Sequence, residues 1–164
     1  MHRISFLQDK IDKELGLLCE DINTGPKNLY EPVSYILSLG GKRMRPVLLL
    51  MACELFDGDT EGAVPPALAI EIFHNFTLVH DDIMDNAPLR RNKPTVHLKW
   101  DENIAILSGD AMLVKAYQYL ARCNSSKLPQ VLKLFNSAAL KVCEGQQLDM
   151  DFEKQKDIKV PDYL

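Results

Sequence analysis

Cysteine is sparse and poorly spaced for chemistry in this sequence. Cys19, Cys53, Cys123 and Cys143 are the only four in 164 residues, and no two form a Cys-x-x-Cys pair. Their even number is weak ground for disulfides, and free thiols in a reducing cytoplasm are expected. Charge of one sign is also lacking. Nineteen Lys and Arg stand against 23 Asp and Glu, a formal −4, so nothing global points to nucleic acid or an anionic membrane. No apolar run approaches the ~20 residues of a membrane span; Val47-Leu48-Leu49-Leu50-Met51-Ala52-Cys53 is among the longest. The opening MHRISFLQDK mixes charged and apolar residues without an apolar core and is not expected to be a secretory signal. Internal repeats, low-complexity stretches and strand-like alternation are absent as well. No Ser/His/Asp or Cys/His set calls for a covalent mechanism, and His80 and His97 have no zinc-type partners at suitable spacing, so both are read as structural.

What remains is ordinary for a globular chain, 46% hydrophobic and 26% charged, long enough for one compact domain with a core. Nearly every long segment has helical periodicity. Ile4, Leu7, Ile11, Leu15 and Leu18 predict a first amphipathic helix to about Ile22, ended by Asn23-Thr24-Gly25-Pro26. A second helix is expected from Tyr30 to Leu39, and a third from Pro46 to about Phe56. Pro65-Pro66 should precede a long helix, Ala67 to about Met84, apolar on most sides and therefore central. Asn86 to Lys99 reads as loop, Asn103 to Ala121 as helix, and Lys127 to Phe152 as a last helix capped by Ser125-Ser126. The fold class is all-α, an antiparallel helical bundle with short loops.

Four clusters carry chemistry. In His80-Asp81-Asp82-Ile83-Met84-Asp85, Asp81 and Asp85 are four apart and share a helix face. They repel each other at a helix end whose dipole already disfavours negative charge, so a cation partner is expected. Hard carboxylate oxygens suit Mg²⁺, which completes its shell with phosphate and water. His74 and Thr77 fall within about 40° of Asp81 on the same wheel. An isolated Asp-Asp-x-x-Asp reads more readily as a solvated acidic helix end, but the apolar stretch Ala67–Val79 argues against simple solvation. In Gly40-Gly41-Lys42-Arg43-Met44-Arg45-Pro46, two glycines and three cations precede a helix start, a setting for phosphate. Pro46 should hold Arg45 extended, in the loop. A basic turn capping the previous helix is an equally good reading. Arg90-Arg91 could be a surface ion-pair network or counter-charge for diphosphates. Gln146 and Asp149, three apart, face one way and could be an exposed polar stripe.

These pieces in this order, GGKRMRP, HNFTLVHDDIMDNAPLRRNKPTVH, GDAML and EGQQLDMDFE, resemble the successive landmarks of the trans-isoprenyl diphosphate synthases, the farnesyl and geranylgeranyl diphosphate synthase family. The likeness runs from about Tyr35 to the end of the chain. It implies an isoprenoid-synthase-type bundle and a Mg²⁺-dependent prenyltransferase that joins isopentenyl diphosphate to dimethylallyl, geranyl or farnesyl diphosphate. It implies that Lys42, Arg45, His74 and Arg91 grip isopentenyl diphosphate. Asp81 and Asp85, with Asp82 beside them, would serve the metal and catalysis. Arg90 would hold the allylic diphosphate, and Gln146 and Asp149 would support the cavity. Phe76 and Thr77, five and four residues before Asp81, would set the tunnel floor for a short-chain product, geranylgeranyl or farnesyl diphosphate. A homodimer is implied too. The family's second aspartate-rich motif and Lys-Thr pair lie on later helices with no counterpart here. Residues 1–164 are therefore expected to be the N-terminal part of one synthase domain, truncated and inactive alone. A class I terpene cyclase would not need Lys42 and Arg45 for a second diphosphate, and a non-catalytic partner subunit could lose the aspartates that are intact here.

Overall fold

The helical periodicity is realised by seven α-helices among the described residues of the computed structural model, which are 2–22, 24–155 and 159–160. They fall into two compact units, residues 1–124 and 125–164. In the first unit α1 (His2–Ile22) buries Leu7, Ile11, Leu15, Leu18 and Ile22, one stripe at helical spacing. Ile4, expected to begin that stripe, is 39% exposed. α2 (Lys27–Ser38) starts three residues earlier than its periodicity suggests, because the Pro26 carbonyl already accepts from Tyr30 N–H at 3.1 Å.

α3 (Met44–Leu55) also starts early. Pro46 is its third residue, where a missing N–H costs nothing because the first turn has no intrahelical acceptor. Arg45 therefore lies in the first turn rather than in an extended loop. The steric bias of a residue before proline is outweighed by burial of Pro46 and Val47 in the core. α4 (Thr60–Met84) begins before Pro65-Pro66, not after them, with the Asp59 carboxylate accepting from Gly62 N–H at 3.0 Å. The prolines remove bonds only to the carbonyls of Glu61 and Gly62, both on the exposed first turns.

α4 is the axis of the unit. Ala67, Leu68, Ala69, Ile72 and Val79 are buried along it, against α3 on one side and α6 (Glu102–Leu120) on the other. Each fully buried Leu or Ile contributes about 1.5–3 kcal/mol. α6 can come close because Gly109 has no side chain: a Cβ there would lie 2.4 Å from His80 Nε2. The segment expected as loop after α4 holds a short antiparallel ribbon, β1 (Leu89–Arg90) and β2 (Lys93–Pro94), paired Leu89 to Pro94 and Arg90 to Lys93. Arg91 and Asn92 have φ of 52° and 61°, so both central residues of this two-residue turn are left-handed, as such hairpins require. α5 (Val96–Lys99) follows, after Thr95 donates to the Ala87 carbonyl at 2.8 Å.

The second unit is built on α7 (Leu128–Phe152). Its N-cap position is Lys127, with no side-chain cap, rather than the expected Ser125-Ser126. Pro129 pre-sets the first turn instead. No helix of the described residues is long and apolar enough to cross a membrane.

Candidate active site

The acidic end of α4 divides its three aspartates between two environments. Successive residues are 100° apart on the wheel, so Asp82 turns inward and is fully buried while Asp85, the C-cap, is exposed. Asp82 accepts from Arg90 of the ribbon, at 2.5 Å from Nη2 and 3.1 Å from Nε. This paired geometry fixes the guanidinium beside the helix end. Asp81 is half-buried. Burial first, and then the Asp85 charge, push its carboxyl above the ordinary range, and the nearby Arg90 only partly opposes this. A half-buried carboxylate repelled by its neighbour one turn on is a group that a hard cation would relieve. No cluster of three or more His, Cys, Asp or Glu suited to a metal occurs among the described residues. Two carboxylates are what Mg²⁺ commonly takes from protein when phosphate oxygens complete its shell.

Seven residues up the same helix, about 10 Å along the axis, the charge reverses. His74 Nε2 lies 3.2 Å from Arg45 Nη1. Arginine can only donate, so Nε2 accepts and the ring proton sits on Nδ1. Burial and then Arg45 hold His74 below its usual basicity, with Arg91 and Arg90 acting in the same direction against Glu71. The neutral form of His74 is therefore favoured beside Arg45. Arg91, at the ribbon tip, packs its guanidinium against Gly41, where a Cβ would lie 2.9 Å from Nη2. Gly41 has φ 140° and Gly40 φ 75°, conformations that a side chain rarely adopts. Both the bend and the close approach therefore require glycine. Lys42 and Arg45 are exposed, and the Lys42 carbonyl accepts from Gln8 of α1 at 2.7 Å.

Arg43, the middle cation of the loop, is not available to a ligand. It is 4% exposed, with φ 47°, and donates to Glu71 Oε1, Asp12 Oδ1 and the Leu37 carbonyl, each at 2.8 Å. The left-handed backbone costs about 1–2 kcal/mol, and charged hydrogen bonds of about 1.5–3 kcal/mol each outweigh it. The sequence alone groups Arg43 with Lys42 and Arg45 as three loop cations before a helix start. The signal that sets Arg43 apart is Glu71, a charge inside an otherwise apolar helix.

Phe76 and Thr77 follow on α4. Phe76 meets His80 edge-on at 4.7 Å and Phe73 at 5.6 Å, and Thr77 donates back to the His74 carbonyl at 2.8 Å. His80 Nε2 lies 3.2 Å from the Ile106 carbonyl. On α7, Gln146 is part-exposed and Asp149 exposed, three residues apart. A groove of about 1180 Å³ in the first unit, lined by Leu15, Cys19, Tyr30, Ser34 and Trp100 among others, includes none of Lys42, Arg45, His74, Asp81 or Asp85. It lies apart from the charged face of α4.

The first unit thus carries two carboxylates at one end of a central helix and a glycine-framed cation loop farther up it. Residues 26–164 match the polyprenyl synthetase family model, and the chain belongs to that family. It is 42% identical over 144 residues to the geranylgeranyl diphosphate synthase of Methanosarcina mazei, covering 86% of this chain and 44% of that protein. It is 43% identical over 145 residues to the short chain isoprenyl diphosphate synthase of Methanocaldococcus jannaschii, covering 88% and 43%. The crystal structure of a geranylgeranyl pyrophosphate synthase superposes with a TM-score of 0.93 at 50% identity, over 98% of this chain and 48% of that one. The chain thus spans less than half the length of the curated relatives it matches.

Proposed function

We propose that this chain carries the N-terminal part of a short-chain trans-prenyl diphosphate synthase, which condenses isopentenyl diphosphate with an allylic diphosphate to give geranylgeranyl or farnesyl diphosphate. One observation carries the reading: the charge division along α4, with His74 against Arg45 at one level and the Asp81–Asp85 pair, only partly offset by Arg90, at the other. The family membership and the activities of the relatives support it.

In this reading Asp81 and Asp85 hold Mg²⁺. The bound metal supplies charge neutralisation that makes the allylic diphosphate a better leaving group. Arg90, steadied by Asp82, lies against the same diphosphate. Lys42, Arg45, Arg91 and the Nδ1–H of His74 hold isopentenyl diphosphate, whose double bond attacks the allylic carbon as the C–O bond breaks. A proton then leaves the new chain, to the departing diphosphate. Positioning and exclusion of water from the cation are the protein's main contributions. Phe76 and Thr77 limit product length, and Gln146 and Asp149 support the cavity. The protein works as a cytoplasmic homodimer, and residues 1–164 without later helices do not turn over.

The test is incubation of the complete protein with Mg²⁺, isopentenyl diphosphate and each allylic diphosphate, with chromatography of the products. A longer prenyl diphosphate is expected. Asp81→Ala should lower turnover by roughly two to three orders of magnitude, the scale on which transition-state charge stabilisation is lost. Near-parent turnover in that variant would remove the carboxylates from the mechanism.

A further inference from the structure

Lys42 and Arg45 are useful to an anion only if the backbone between them turns their side chains outward, and that turn is made at Arg43. We infer that Arg43 is a positioning residue for isopentenyl diphosphate. Its buried grip on Glu71, Asp12 and the Leu37 carbonyl holds the left-handed turn that presents Lys42 and Arg45 to the diphosphate. The inference rests on the reading of this loop as a diphosphate site.

The geometry carries it in three steps. First, Arg43 is not a default occupant of its position, because a residue with φ 47° is ordinarily glycine, asparagine or aspartate. Second, each arm of its guanidinium ends on a different helix: Asp12 on α1, Leu37 on α2 and Glu71 on α4, all at 2.8 Å. The start of α3 is therefore referenced to three elements at once, and Gln8 of α1 adds a fourth hold on the Lys42 carbonyl. Third, two links join the loop to α4 in register. Arg43 meets Glu71, and Arg45, two residues on, meets His74, three residues on. The second contact faces the ligand side and the first faces the core, so the buried link sets the height at which Arg45 meets the histidine. Glu71 is itself held, since Asn75 Nδ2 donates to its carboxylate at 3.2 Å and to its carbonyl at 2.8 Å.

The experiment uses the complete synthase and steady-state kinetics with each substrate varied. Removing Arg43 alone would leave Glu71 as a buried unpaired charge and risk unfolding. The chosen variant is Arg43→Met/Glu71→Met, which removes both charges together. It should raise the KM for isopentenyl diphosphate about tenfold, the scale of one charged hydrogen bond, with kcat and the allylic KM near parent values. Asp12→Asn, at a half-exposed partner, keeps the buried pair and should raise the same KM about threefold, within the range of a single net hydrogen bond. Lys42→Ala is the control for the underlying reading, since it too should raise that KM. If Lys42→Ala raises it and neither the double variant nor Asp12→Asn does, Arg43 only stabilises the fold and the inference is overturned. If Lys42→Ala leaves it unchanged, the loop is not the diphosphate site and both readings fall. A double variant that does not fold leaves Asp12→Asn to decide.

Discussion

Asp81→Asn removes one negative charge from the end of α4 with almost no change in shape, and it should make the metal-free protein more stable. Asp81 and Asp85 are like charges one turn apart, a pairing that costs about 0.2–0.5 kcal/mol on a helix surface. A carboxylate in the last turn of a helix opposes the macrodipole by about 0.3–1 kcal/mol. Attraction to Arg90 works the other way and is shared with Asp82. The net gain is about 0.5–1 kcal/mol at pH 7, which corresponds to about 1–4 °C in Tm for a chain of this size. The pH dependence has a definite sign. Burial and Asp85 raise the folded-state pKa of Asp81, so its contribution is intact below the unfolded value of about 3.9. That contribution is lost as pH rises through the folded value. The Tm difference between variant and parent should therefore be small near pH 3.5 and grow to a plateau by neutrality. Thermal melts across that range in EDTA read it directly. Repeating them with Mg²⁺ and inorganic pyrophosphate should stabilise the parent and not the variant. A variant less stable than the parent in EDTA at pH 7, or one equally stabilised by Mg²⁺ and pyrophosphate, would refute the idea that Asp81 is held in tension for a cation.

Arg45→Ala should raise the KM for isopentenyl diphosphate roughly tenfold or more, the scale of a lost charged hydrogen bond, and leave the allylic KM alone; an equal effect on both substrates counts against the assignment. Phe76→Ala should lengthen the product, read by chromatography of the dephosphorylated chains, and an unchanged distribution removes Phe76 from the tunnel floor. Gly109→Ala should destabilise by about 1–3 kcal/mol through overpacking against His80. Adding His80→Ala should recover most of that loss in a melt, whereas no recovery would place the clash elsewhere. Residues 1–164 assayed alone with Mg²⁺ and both diphosphates should give no product, and sustained turnover would show that one aspartate motif is enough.

The all-helical class was legible in the sequence because helix formation here is local. Leu7, Ile11, Leu15 and Leu18 lie on one stripe whatever they pack against, and the i, i+4 relation of Asp81 and Asp85 follows from helix geometry alone. The order of the four charged motifs was also enough to identify the resemblance that the family match bears out. Helix starts at Lys27, Met44 and Thr60 were not legible, because proline marks a boundary only statistically and the surrounding core decides whether the chain curls before it or after it. Nor was the ribbon at 89–94, since two residues per strand are too few for alternation to register. The sharpest division falls within the charged clusters. Composition alone did not separate Arg43 from Lys42 and Arg45, and spacing set Asp82 apart from Asp81 and Asp85 without showing which face is buried. Tertiary structure separated them by burial: Arg43 is tied to Glu71 and Asp82 to Arg90, while Lys42 and Arg45 face solvent and Asp81 and Asp85 lack so strong a partner. A buried charge is stable only with a partner in place. Those partners lie 28 and 8 residues away in sequence, so only the folded chain determines which charges are left free for a ligand.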